Sequence, residues 1–203
     1  PALTPGLEQA LAGGGQGLVL LAVPGTVPGQ FADGSVDPHA WLNPENAAVW
    51  LPAIAAALGQ ADPEHAETYA ANAMAAVQRV QALETDLRAQ LQPVVAKPFL
   101  GWHDAYGHFT RAFGLTYLGG VALGDAAPPS AHRLAELADL AGQGGITCAF
   151  PEVAHDSTLL NALPGVTLGQ PLDPLGASLP PGPDTYAQLL TNLASTLVNC
   201  LSH

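Results

Sequence analysis

The apolar positions of this chain follow two different periods, and the change between them divides it. Ile54 and Leu58, and then Tyr69, Ala73, Val77, Val80, Leu87 and Leu91, recur within each group three to four residues apart or at seven, the sum of the two. Such positions line one face of an α-helix. From Pro98 onward, short, mostly apolar runs at 98–102, 115–121, 146–150 and 166–168 alternate with helix-like stretches at 104–113, 130–142 and 156–163. A final helix over 184–201 carries Leu189, Leu190, Leu193, Leu197 and Leu201 on one face. Short strands alternating with helices predict an α/β fold, with a mostly parallel sheet flanked by helices. One more apolar run, at 18–23, is far too short to cross a bilayer and reads as a buried strand.

Local signals set the element ends. Asn43 is a good N-cap, Pro44 suits the first helical position, and Gly59 can close the helix that begins there. Asp62-Pro63-Glu64 repeats the start signal, and the next proline is Pro93. The spacing between them predicts one helix of about 30 residues, roughly 45 Å long. Pro24 to Val36, Gly142 to Gly145 and Leu179 to Pro183 read as loops. Gly13-Gly14-Gly15 is not a phosphate loop, because no lysine follows it.

Charge removes whole classes of function. Five basic residues stand against seventeen acidic ones, for a net charge of -12. A nucleic-acid binder needs a clustered basic surface, and five cations do not make one. A negative field of this size favours divalent cations and solubility. No G-x-S-x-G, H-E-x-x-H or C-x-x-C signature occurs. The two cysteines, Cys148 and Cys200, permit one disulfide or two buried thiols, and the residues alone leave both readings open.

Three segments carry candidate chemistry. They are Asp37-Pro38-His39-Ala40-Trp41-Leu42-Asn43-Pro44, Gly101-Trp102-His103-Asp104-Ala105-Tyr106 and Pro171-Leu172-Asp173-Pro174-Leu175-Gly176. Each places a metal-ligand residue type where a predicted strand or turn gives way to the next element, and in a parallel sheet such ends converge. His39, His103 and Asp173 together read as a two-histidine, one-carboxylate site. Imidazole nitrogen with carboxylate oxygen suits zinc, and manganese less well. Glu152, just past a predicted strand, reads either as the acceptor that fixes a ligating imidazole or as a turn carboxylate. Asp104 reads as the cap of the following helix, and His65 and His132 as exposed first-turn residues. His108, His155 and His203 lack a comparable context.

In this order and at these intervals the three segments resemble the metal-binding receptors of bacterial zinc and manganese ABC importers, most closely the zinc-uptake receptors. The resemblance extends to Pro-Ala-Leu-Thr-Pro-Gly-Leu-Glu at residues 1–8 and Pro-Gly-Pro-Asp-Thr-Tyr at 181–186. It implies that His39, His103 and Asp173 are metal ligands. It also implies zinc as cargo, a membrane permease as partner, a periplasmic location with the signal peptide outside this chain, and a Cys148–Cys200 disulfide. Residue 1 already resembles the far end of the family's N-terminal domain. The expected parts are therefore a remnant of that lobe with the metal-site turn over 1–58, a long linking helix over 59–93, and a C-terminal α/β lobe over 94–203. The site would lack the histidine that the family's N-terminal domain supplies, and uncovered apolar surface would favour self-association. Two other readings compete with a receptor. One is a zinc hydrolase with an open coordination position and Glu152 as base; the other is a metal-free relic of the site.

Overall fold

Phe99 and Leu100 turn to opposite sides of the first strand, and each side of the sheet has its own core. The computed structural model describes residues 17–122, 130–153 and 158–203. Strands β1 (Phe99–His103), β2 (Tyr117–Ala122), β3 (Cys148–Phe150) and β4 (Thr167–Leu168) form one sheet in the order β2-β1-β3-β4. Every pairing in it is parallel. Phe99, Cys148 and Phe150 face one apolar cluster with Leu87, Leu91, Phe109, Leu190, Leu193 and Leu197. Leu100 and Ala149 face the other, with Val121, Leu137, Ile146 and Leu160. The period of two along each strand is what lets short strands serve both cores.

Helix α1 (Pro44–Ala61) starts as its sequence predicts: the Asn43 side chain accepts from the Glu45 amide, and Pro44 takes the first turn. The chain then reverses. Asp62 Oδ2 accepts from His65 Nδ1 at 2.9 Å and from the Tyr69 hydroxyl at 2.8 Å, pinning the reversal into α2 (Ala66–Leu91), which folds back along α1. With 26 residues, α2 is about 39 Å long, shorter than the span between the two prolines because residues 63–65 form a tighter 3₁₀ turn. Helix α3 (Gly107–Phe113) follows β1, α4 (Ala131–Gly142) follows β2, and α5 (Thr158–Asn161) lies between β3 and β4. Helix α6 (Thr185–Leu201) ends the chain and packs on α2. A disulfide joins Cys148, the first residue of β3, to Cys200 in the last turn of α6.

Three local expectations are corrected. The run at 18–23 is not a buried strand: Leu20–Ala22 is a 3₁₀ turn, and Leu18, Val19 and Leu21 are exposed. Apolarity without a neighbouring strand to complete a ladder does not make a strand. Gly59 does not close α1, which runs on to Ala61. A Cβ there would lie only 3.0 Å from that of Ala66, so this glycine serves the close approach of α1 and α2. Asp104 does not cap α3. It lies against the Tyr117 hydroxyl instead, and burial raises its carboxyl above the ordinary range. His155, the Gly13–Gly15 tract and the segment 1–8 fall outside the described residues.

Candidate metal site at the carboxyl end of the sheet

Four residues reach one end of the sheet by different routes. His103 is the last residue of β1. Glu152 lies just beyond β3 and makes a parallel bridge to Leu172, which delivers the neighbouring Asp173 to the same edge. His39 comes from outside the sheet, on the turn that precedes α1. Two long-range bonds hold that turn. Trp41 Nε1 donates to the carbonyl of Pro174 at 2.9 Å, and the Tyr186 hydroxyl donates to the Trp41 carbonyl at 2.9 Å. Asn46 adds bonds to the carbonyls of Ala40 and Val27 and accepts from the Val27 amide.

The two imidazoles meet. Their Nε2 atoms lie 3.4 Å apart, and both rings are almost fully buried. The opposite nitrogen of each ring is held by a carboxylate. His39 Nδ1 donates to Asp37 Oδ1 at 2.8 Å, and His103 Nδ1 donates to Glu152 Oε2. With the protons on Nδ1, both Nε2 lone pairs point into the same space. Two nitrogen ligands on one tetrahedral zinc, each about 2.05 Å from it, stand about 3.3 Å from each other. The spacing of the pair matches that arrangement, and carboxylates behind both rings fix the tautomer that binding needs.

Asp37 does more than orient one ring. Its Oδ1 also accepts the His39 amide at 3.0 Å, and His108 Nε2 donates to the Asp37 carbonyl at 3.2 Å. Burial would raise the Asp37 carboxyl, but the hydrogen bonds from His39 outweigh it and hold the group below the ordinary carboxylate range. Burial lowers the pKa of His108, a wholly enclosed ring, so it is neutral at physiological pH.

Asp173 stands apart from the histidine pair. Its Oδ1 accepts from the Ala177 amide at 2.9 Å, and its Oδ2 accepts from the Ser178 amide at 2.8 Å and the Ser178 hydroxyl at 2.6 Å. Partial burial opposes ionisation, but these bonds prevail and depress its pKa. The residue borders a cavity of about 220 Å³ that also touches Val153, Leu172, Ser178 and Leu189. Among the described residues no three His, Cys, Asp or Glu side chains stand close enough to hold one ion together. The structure thus brings His39 and His103 together, places Glu152 behind His103, and leaves Asp173 engaged with Ala177 and Ser178 instead. His65 and His132 are exposed, the first beside Asp62 at its helix start and the second beside Glu136 one turn further along its helix.

Sequence reading missed Asp37 and Tyr106. A signal existed for the first, since an Asp two residues before a turn residue commonly bonds that residue's amide. Tyr106 is fully buried beside His103, with ring centroids 6.3 Å apart. Burial, reinforced by the Glu152 and Asp173 carboxylates, pushes its phenol well above the ordinary value.

A parallel sheet covered on both faces, with a carboxylate-backed imidazole pair at one end of it, is the arrangement to compare with known proteins. Residues 3–200 match the family described as Zinc-uptake complex component A periplasmic. The high-affinity zinc uptake system protein ZnuA of Paracoccus denitrificans (strain Pd 1222) is 44% identical over 168 residues, covering 81% of this chain and 52% of that protein. Its namesake from Brucella suis biovar 1 (strain 1330) is 40% identical over 171 residues, 83% of this chain and 51% of that one. A crystal structure of ZnuA superposes with a TM-score of 0.80 at 26% identity, over 97% of this chain and 74% of that one. The solute-binding protein FpvC of Pseudomonas aeruginosa in complex with Mn2+ superposes with a TM-score of 0.74 at 26% identity, over 89% and 69%. The chain belongs to the zinc-uptake component A family. It spans about half the length of the curated relatives it matches.

Proposed function

We propose that this chain is the zinc-holding lobe of a periplasmic solute-binding protein that captures the ion and delivers it to the membrane permease of an ABC importer. The observation that carries the proposal is the pair of buried imidazoles, each backed by a carboxylate, with Nε2 atoms 3.4 Å apart. In the proposed mechanism His39 and His103 would hold the ion through Nε2, and Asp173 would join them only by giving up its bonds to Ser178, with water or a group from outside the described residues completing the shell. Nitrogen ligands with one carboxylate favour zinc over manganese. The relatives named for zinc uptake support this cargo.

A hydrolytic role has less support. Glu152, the base it requires, lies on the Nδ1 side of His103, turned away from the nitrogen that would face a metal-bound water. Self-association belongs to the proposal as a way of covering exposed apolar side chains such as Val19, Leu58 and Met74.

The test is a zinc titration against a chromophoric chelator, with stoichiometry from native mass spectrometry, on this chain and on His39→Ala, His103→Ala and Asp173→Ala. One zinc per chain, lost in both histidine variants and weakened in the aspartate variant, is the expected result. Equal weak binding by all four proteins would overturn the proposal.

A further inference from the structure

Residues 29–37 fold into a small hairpin that leads directly into the metal-site turn. Gln30 and Val36 bridge antiparallel, the Phe31 amide donates to the Ser35 carbonyl at 2.9 Å, and the Asp37 amide donates to the Gly29 carbonyl at 3.0 Å. At the tip the Gly34 amide donates to the Phe31 carbonyl at 3.0 Å, and Asp33 Oδ1 accepts from both the amide and the hydroxyl of Ser35. The base is fixed against α3. A Cβ on Gly29 would lie 2.4 Å from His108 Nε2, and the same nitrogen donates to the Asp37 carbonyl.

What this hairpin presents to the protein is one ring. Gln30 and residues 32–36 are exposed, whereas Phe31 is half-buried. Its ring meets the His39 imidazole edge to face, with centroids 6.2 Å apart and planes at 69°. The same imidazole lies against Trp41 and His103, each at 5.3 Å between centroids. Phe31 and Asp37 border a cavity of about 470 Å³ shared with Asp104, Arg111 and Tyr117, and His39 does not. The Phe31 ring thus lies on the side from which water in that cavity would reach the imidazole. Closing a turn of this kind requires no aromatic residue, so the hairpin's own folding does not explain Phe31.

We infer that Phe31 is a positioning residue of the metal site, whose ring keeps the His39 imidazole facing His103 and shields its bond to Asp37 from water. The inference rests on the zinc-binding reading above and deepens it. Asp37 Oδ1 sets the tautomer of His39 through one side-chain hydrogen bond of 2.8 Å, and a single bond leaves the ring free to rock about it. An edge-to-face neighbour on a rigid hairpin removes that freedom. A ligand already ordered when empty loses less on binding, and the ion it holds departs more slowly.

Phe31→Leu keeps an apolar side chain and removes the ring. Zinc release from this variant into excess chelator should be about fivefold faster than from the parent chain, the scale of one edge-to-face contact. In the zinc-free variant the His39 Nδ1–H proton should also exchange with water faster, as read by ¹⁵N-resolved NMR. Phe31→Tyr, which keeps the ring edge, should match the parent in both measurements. Val36→Ala, which trims the other large apolar side chain of the hairpin, one exposed to solvent, should leave both unchanged. Rates for Phe31→Leu equal to those of the parent would overturn this inference and leave the metal site standing. The same acceleration in Val36→Ala would overturn it as well, by assigning the effect to the hairpin as a whole. Absence of zinc binding by the parent chain would remove the site reading and this inference with it.

Discussion

Trp41 donates its indole N–H to the carbonyl of Pro174, joining two segments that are 133 residues apart in the sequence. One holds His39 and the other holds Asp173, so the bond ties the histidine's turn to the loop that follows the Leu172 bridge. Trp41→Phe keeps most of the ring and removes the donor. It should destabilise the fold by about 1 kcal/mol, the ordinary net value of one such bond. Zinc affinity should fall with it, as a less firmly held turn presents His39 less consistently. Urea unfolding and zinc titration of the variant check both parts, and an unchanged affinity would show that Asn46 and Tyr186 suffice to hold the turn.

Glu152→Gln replaces the carboxylate behind His103 with an amide of nearly the same shape. The His103 imidazole then loses its anionic acceptor, and zinc affinity should fall about 10–100-fold, the usual effect of removing a partner that orients a ligating histidine. The ¹⁵N resonances of His103 would report a mixture of tautomers in the variant and a single Nδ1–H form in the parent. A single unchanged tautomer would show that something other than Glu152 sets the ring.

Asp37 gives the site an acid-sensitive part. Its folded-state pKa is depressed, so the stability it contributes is fully present above the unfolded value near 3.8 and is lost as pH falls through the lower folded value. Asp37→Asn should therefore lower stability at neutral pH and shrink the further loss seen on going to roughly pH 3. Urea midpoints at the two pH values measure this. Parallel curves for parent and variant would remove Asp37 from the acid response.

Gly120 has no space for a side chain. A Cβ there would lie 2.4 Å from the Asp104 amide nitrogen and 2.5 Å from the His103 carbonyl carbon, both backbone atoms. Gly120 is the register partner of Gly101, so β2 must move away from β1 where His103 leaves the sheet. Gly120→Ala should cost about 3 kcal/mol or more and weaken zinc binding, since rigid neighbours cannot yield as a flexible side chain would. Wild-type stability in this variant would mean that the strand end adjusts freely.

Reduction of the Cys148–Cys200 bridge should lower stability by about 3–4 kcal/mol on the loop-closure account for a separation of 52 residues. The effect should be greatest on α6, because that helix is tied through Cys200 to the middle of the sheet. Hydrogen exchange with and without reductant reads it directly; uniform loss of protection across the chain would indicate that α6 unfolds only with everything else.

Much of this architecture was legible in the order of the residues. The alternation after Pro98 marked the strands and helices of the sheet, because a buried parallel strand must be apolar on both faces, and Asn43-Pro44 marked the start of α1 through the chemistry of its own cap. The run at 18–23 failed for the same reason that the others succeeded: hydropathy reports that a segment can be buried and says nothing about whether a neighbour exists to pair with it. His39 and His103 stood out through position, each at the end of an element. What could not be read was which atoms face each other. Asp37 lies two residues from His39 and Glu152 forty-nine residues from His103, yet they do the same work on the two rings. Asp173 was expected beside the two histidines, and its engagement with Ser178 depends on how the loop after Leu172 turns. Tyr106 did not stand out because a buried tyrosine in sequence looks like any other core aromatic.

His39 and His103 belong to segments 64 residues apart, one a loop clasped from outside and the other the tip of a central strand. An ion gripped by both would be a rivet between loop and sheet as well as a passenger. Unloading it and loosening that seam would then be one event.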